Sequence, residues 1–195
     1  ILKSQELRIS ATRAAARSNP VINDLLEIKH AGWTMAEYAG RERAVMGGVI
    51  AANSPLPPNL RGKLAGFRGH VESAHETLKQ IVKAPETSAV VKKAVAAAEE
   101  GYFGKFEDFR ATIYDASLGT SAYPVTGSEW VGKATNVINS LLAVQTAASK
   151  AAEASVEEAV SSATGSFVIG LIVLIAAVLV GGTAFWIVGI RVLRP

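Results

Sequence analysis

The stretch Ala39-Gly40-Arg41-Glu42-Arg43-Ala44-Val45-Met46-Gly47-Gly48 decides the fold, because it lies in the middle of a long helical pattern. Burying an unpaired guanidinium is costly, so Arg43 needs a partner on such a helix. Either a carboxylate of a neighbouring helix pairs with it, the commoner arrangement in an arbitrary protein, or a small anion fills the space beside it. The residues that share its face, three, four and seven places away, are all apolar or lack a side chain: Ala36, Ala39, Gly40, Met46, Gly47 and Ile50.

Outward from this stretch, apolar residues recur at alternating steps of four and three, the spacing of packed helices. Glu42 occupies one of these positions, so we expect it to be buried and paired. A helix over 2–18 is followed by a break at Asn19-Pro20, and the segment 53–58 separates the next two helices. The first pattern comprises Ile28, Gly32, Met35, Ala39, Glu42, Met46 and Val49; the second comprises Leu60, Leu64, Phe67, Val71, Ala74, Leu78 and Ile81.

The second helix should end near Lys83, and a third region runs from residue 86 to residue 118 with an interruption at Gly101 and Gly104. Thr126 and Glu129 have the spacing of a capping box, which begins a last helix. Four helical regions with short connections predict an all-α fold: an antiparallel four-helix-type bundle whose last helix continues into a transmembrane helix.

The end of the chain predicts that membrane segment. Residues 159–190 contain no charged side chain, and the strongly apolar part exceeds the ~20 residues that a bilayer requires. Glutamates precede it, whereas Arg191 and Arg194 follow it, so the C-terminus should be cytoplasmic. We therefore expect a sensor-like domain at 1–160 outside the cytoplasm, in the periplasm or extracellular space, and one transmembrane helix at 161–190 in the inner (cytoplasmic) membrane.

Several function classes find no support in the composition. The chain has no cysteine, its three histidines are scattered, and a net charge of +3 is not gathered into a basic stripe. These features predict no metal site, no cofactor and no nucleic-acid partner. Phosphate-binding loops and metal-binding helix motifs are absent from the sequence, so we predict that the chain is not an enzyme.

Arg110 is a second arginine on an apolar face, with aromatic side chains one turn away on either side. Cation–π packing on these rings and contact with a ligand explain its placement about equally well. Arg61 and Arg68 flank the second helix, where a solvated face or a surface ion pair is the expected arrangement. Arg41 has Glu37 one turn back and should be the more solvated arginine of the opening stretch.

Several short motifs resemble the nitrate- and nitrite-sensing (NIT) domain family over roughly residues 30–145. They are Gly32-Trp33, Glu37-Tyr38-Ala39-Gly40-Arg41-Glu42-Arg43-Ala44, Pro55-Leu56, Arg61-Gly62, Arg68-Gly69-His70-Val71-Glu72, Phe109-Arg110-Ala111-Thr112-Ile113-Tyr114, Tyr123-Pro124, Glu129-Trp130 and Thr135. The part Ala39-Gly40-x-x-Arg43-Ala44 is also similar to the nitrate-binding helix of sensor kinases, where a methionine usually stands at the position of Ala44. Residues 191–195 look like the start of a HAMP linker.

The resemblance implies a bacterial transmembrane receptor, most often a chemoreceptor and less often a histidine kinase or cyclase. It implies a homodimer that binds nitrate or nitrite through arginine and signals to cytoplasmic partners through a C-terminal effector. We expect Arg43 to bind the anion, Arg110 to be a second clamp, and Gly40 and Gly47 to leave room for the ion and for a close neighbouring helix. A bundle sensing an amino acid or organic acid, and a ligand-free membrane-tethered structural protein, are the alternatives.

Overall fold

The computed structural model describes residues 19–119 and 122–193, and every regular element in these ranges is helical. The elements are α1 (Pro20–Ala51), α2 (Pro58–Val82), α3 (Ala89–Ala98), a π-helical segment (Glu99–Lys105), α4 (Phe106–Leu118) and α5 (Gly127–Leu193). The all-helical prediction is therefore confirmed for the described part of the chain. The helix predicted over 2–18 lies outside the described residues.

The helix ends follow the local chemistry of the sequence. The side chain of Asn19 caps α1, and Pro20 occupies its first turn, where no backbone N–H is needed. Asn53 has a positive φ of 45° in the turn before α2. The predicted capping box also forms, since Glu129 accepts from the Thr126 amide at 2.7 Å and its own amide donates to the Thr126 hydroxyl at 3.2 Å.

One hydrophobic core receives side chains from all of these helices up to residue 148 of α5. Every predicted position of the first pattern, from Ile28 to Val49, is buried on α1. The second pattern is buried or partly buried along α2, which packs directly against α1. The heptad spacing therefore predicted which faces turn inward, while the antiparallel order of the helices stays a prediction.

The segment 127–145 of α5 lies close to α1. A Cβ added to Gly32 would come within 3.0 Å of the backbone nitrogen of Gln145, and one added to Gly127 within 3.0 Å of the Gly47 carbonyl oxygen. Real Cβ atoms do not tolerate such backbone contacts without a shift, so these glycines permit the close approach. This approach brings the α5 residues 130–135 beside Arg43.

The third region differs from its prediction, because Gly101 and Gly104 do not interrupt the helix. The chain passes through them as the π-helical segment, which leads straight into α4. Isolated glycines cost a helix only about 1 kcal/mol each, and the burial of Tyr102 within this segment offsets that cost. A π turn also rotates the following residues relative to an α-helical register.

The chain forms two compact units, Ile1–Glu153 and Ala154–Pro195. Within the described part of the second unit, the backbone is helical up to Leu193, whereas the side chains of 159, 162–168, 173 and 176–193 are not described. No helix among the described residues is long and apolar enough to cross a membrane, so the transmembrane helix predicted at 161–190 is not confirmed. Residues 194–195 of the predicted HAMP start lie outside the described residues.

Candidate functional site

Arg43 lies half-buried on α1 and is fixed by α5 at two points. Its Nη1 donates to the hydroxyl of Thr135 at 2.8 Å, and that hydroxyl donates to the Val131 carbonyl at 2.6 Å. The carbonyl oxygen of Arg43 accepts from the indole N–H of Trp130 at 3.0 Å. Both the backbone and the guanidinium of Arg43 are therefore held in place by one turn of α5.

No carboxylate forms an ion pair with Arg43 among the described residues. The nearest glutamates on α1 have other partners: Glu37 pairs with Arg41 at 2.8 Å, and Glu42 with Arg110 at 2.6 Å. A structural ion pair was the commoner arrangement expected for Arg43, and the structure shows a neutral hydroxyl in its place. The Nε and Nη2 side of the guanidinium makes no hydrogen bond to any described residue.

The two glycines near Arg43 have different surroundings. A Cβ added to Gly40, one turn before Arg43, would meet nothing within 4 Å. A Cβ added to Gly47, one turn after it, would come within 3.0 Å of Val131 Cγ2 and 3.7 Å of Trp130 Cδ1. Open space therefore lies on the Gly40 side of the arginine, and the close neighbouring helix on the Gly47 side.

Glu42 is buried, as its place in the pattern predicted, and its partners come from α4. Its Oε1 accepts from Arg110 Nε at 2.6 Å and from the Tyr114 hydroxyl at 2.7 Å. Arg110 Nη1 also donates to Glu107 at 3.1 Å, and the guanidinium lies 4.4 Å from the centre of the Tyr114 ring. Arg110 thus makes the cation–π contact that was one of its two expected explanations, together with two ion pairs that the sequence did not predict.

Burial and the negative charge of Glu42 act in opposite directions on the pKa of Arg110. Burial lowers the pKa of Arg110, but Glu42, Tyr114 and Glu107 together outweigh it, so the pKa of Arg110 lies above its ordinary value. Burial, followed by the charge of Glu42, raises the pKa of Tyr114 as well. Both side chains therefore stay protonated at neutral pH and act as donors to Glu42.

A second polar cluster adjoins the first through Glu107. Arg68 Nε donates to Glu72 at 2.7 Å, and Arg68 Nη1 lies 3.0 Å from Glu107 Oε2, an ion pair whose angles do not make a hydrogen bond. The Arg68 side chain is only 15% exposed, so of its two expected arrangements the structure shows the ion pair and not the solvated face. The Tyr102 hydroxyl is buried here without a hydrogen-bond partner among the described residues, and burial raises its pKa.

Sequence reasoning missed Tyr102 and Glu107. The structure buries Tyr102 and leaves the neighbouring Phe103 partly exposed against His75. Both lie in the π-helical segment, whose wider turn shifts its residues out of an α-helical register. The paired glycines at 101 and 104 were the available signal for such an irregular turn.

Two surface grooves lie away from Arg43 and Arg110. One of about 260 Å³ separates α1 from α2 beside His30 and His70, and one of about 350 Å³ lies between α2 and α3 beside Lys79. Their size suits larger ligands than a small inorganic anion. An ion with few atoms can approach a half-exposed guanidinium directly from the open side of its helix.

The described part of the chain is thus a helical domain in which the half-buried Arg43 is held by α5 and pairs with no described carboxylate. The sequence matches the family described as nitrate and nitrite sensing (NIT) over residues 5–153, and the chain belongs to that family. The membership implies an extracytoplasmic signalling domain that senses a small anion, and the family is not an enzymatic one. No curated protein and no solved structure gives a significant match.

Proposed function

We propose that this chain is the sensor region of a dimeric bacterial transmembrane receptor of the chemoreceptor type, and that it binds nitrate or nitrite at Arg43. Family membership supports the ligand class. The observation that carries the site is the environment of Arg43: a half-buried guanidinium held by Thr135 and Trp130, without a carboxylate partner among the described residues.

The geometry of the guanidinium suits nitrate and nitrite. Its planar fork can donate two parallel hydrogen bonds to two oxygens of a planar anion. Thr135 engages Nη1, so the opposite edge formed by Nε and Nη2 is available to the ion. The open space beside Gly40 lies one turn away on the same face of α1 and gives the ion access.

Arg110 was predicted as a second clamp on the same anion. Its guanidinium donates to Glu42 and Glu107, so two carboxylates already engage it. We therefore assign direct contact with the anion to Arg43 and Gly40, while Gly47 serves the close packing of α5. In the proposed homodimer, Arg43 of the second copy is a candidate for completing the site.

The proposed receptor transmits occupancy through α5. The sequence supports this with the uncharged segment 159–190, the arginines that follow it, and the resemblance of residues 191–195 to a HAMP start. In this arrangement an antiparallel bundle lies outside the inner membrane, the C-terminus is cytoplasmic, and an effector passes the signal to cytoplasmic partners. Anion binding would shift the population of two packing states of the bundle.

Calorimetric titration of the full chain in detergent tests the proposal. We expect saturable binding of nitrate or nitrite, and loss of that binding in Arg43→Ala. Arg41→Ala is the matched control, since Arg41 is exposed, lies two residues away and already pairs with Glu37. Absence of binding, binding that survives Arg43→Ala, or tight binding of an amino acid or organic acid in place of nitrate would refute it.

A further inference from the structure

Glu42 places a negative charge next to the residue that we assign to an anion. Neighbouring residues have Cα atoms 3.80 Å apart and lie about 100° apart around the helix, so the carboxylate lies on the order of 10 Å from an ion at the tip of the Arg43 side chain. At the effective dielectric constant of ~20 that suits protein sites, an unscreened carboxylate at this distance weakens anion binding by roughly tenfold. A buried glutamate beside an anion site therefore has to be neutralised.

The α4 helix supplies this neutralisation. Arg110 Nε and the Tyr114 hydroxyl both donate to the same oxygen of Glu42, at 2.6 and 2.7 Å. The side chains of Arg110 and Glu42 are 13% and 3% exposed, so solvent screens their interaction little. Arg110 therefore offsets the charge of Glu42, while Glu107, which Arg110 also contacts, is paired with Arg68 as well.

We propose that Arg110 is a positioning residue for the anion site, which permits binding at Arg43 by neutralising Glu42 and does not contact the ion. This inference rests on the proposed function. It explains why Arg110, which pairs with the sequence neighbour of Arg43, is already engaged by two carboxylates. It also joins α4 and α2 to the site, because Glu107 links Arg110 to Arg68 on α2.

Three variants of the full chain, titrated with nitrate at pH 8, separate the indirect role from direct contact. Arg110→Met leaves the Glu42 carboxylate unneutralised, and we expect nitrate affinity to fall about tenfold, equivalent to ~1.4 kcal/mol. Glu42→Gln combined with Arg110→Met removes both charges, and we expect its affinity to return to within about twofold of the unaltered chain. If Arg110 were merely structural, or if it bound the ion directly, the double variant would not regain its affinity for nitrate.

The outcomes are distinguishable. If the double variant binds as weakly as Arg110→Met, or if Arg110→Met binds normally, the inference is overturned while the assignment of Arg43 stands. If the unaltered chain binds neither nitrate nor nitrite, both the inference about Arg110 and the assignment of Arg43 are refuted. If Arg110→Met does not fold, two other variants test the inference. We expect normal nitrate affinity in the double variant Glu42→Gln, Arg110→Met, and a two- to threefold loss of nitrate affinity in Tyr114→Phe.

Discussion

Replacing Gly40 by leucine should stabilise the protein and block its anion site at once. The position is helical, and a Cβ there meets nothing within 4 Å, so the side chain can be accommodated without a clash. Leucine favours a helix interior over glycine by about 0.7 kcal/mol, which corresponds to a rise in melting temperature of about 1–3 °C for a chain of this size. The new side chain lies one turn from Arg43 on the same face and fills the space we assign to the ion.

The loss of affinity follows from the hydrogen bonds that leucine displaces. Hydrogen bonds to charged groups contribute about 1.5–3 kcal/mol each, so losing one of them weakens nitrate binding about 10- to 100-fold. Unfolding followed by circular dichroism gives the stability, and calorimetric titration gives the affinity. An unchanged affinity in Gly40→Leu would refute the placement of the anion beside Gly40.

Gly48→Leu is the matched control for this prediction. Gly48 is also on α1 and has equally open surroundings, so the gain in stability should be similar. It lies about 140° around the helix from Arg43, given 3.6 residues per turn, so its side chain does not reach the proposed ion. Equal losses of affinity in both variants would mean that the effect is not local to the site.

Three further predictions test the packing and the helix start that hold Arg43. Gly32→Ala should lower stability by about 1–2 kcal/mol in urea unfolding, because overpacking against the Gln145 backbone exceeds the helix-propensity gain; a more stable variant would contradict the close approach. Trp130→Phe removes the indole hydrogen bond to the Arg43 carbonyl, and we expect a cost of about 1 kcal/mol and weaker nitrate binding; unchanged values of both would contradict it. Hydrogen bonds from the capping threonine lower the pKa of Glu129 below 4.5, so its stabilising effect is present above that pH and is lost as the pH falls through the lower folded-state pKa. Glu129→Gln should therefore be less stable at pH 7 and lose less stability between pH 5 and pH 3, as melting curves across that range would show.

The sequence predicted local features of the fold well. The burial of Glu42 followed from its place among apolar residues at heptad spacing, and the start of α5 followed from the spacing of Thr126 and Glu129. Both signals depend on residues within a few turns of one helix. Such patterns are readable from a chain because helix geometry alone fixes which side chains share a face.

The partners across helices could not be predicted in the same way. Arg110 lies 68 residues from Glu42, and Thr135 lies 92 residues from Arg43. No periodic pattern in the sequence therefore relates the two residues of either pair. Several arginines and glutamates of the chain could have paired with equal chemical logic. The π-helical segment could not be predicted from such patterns either, because its wider turn departs from the α-helical register on which they depend, and it buries Tyr102.

Nuclear magnetic resonance of the arginine side chains tests the central claim most directly. In the ¹⁵N-labelled full chain, Arg43→Lys and Arg110→Lys identify the Nε–H signals of the two residues, which are then followed during titration with nitrate. We predict a large, saturable shift of the Arg43 Nε–H signal and at most a small shift of the Arg110 Nε–H signal. A large shift of Arg110 with Arg43 unchanged, or no shift of either, would contradict it.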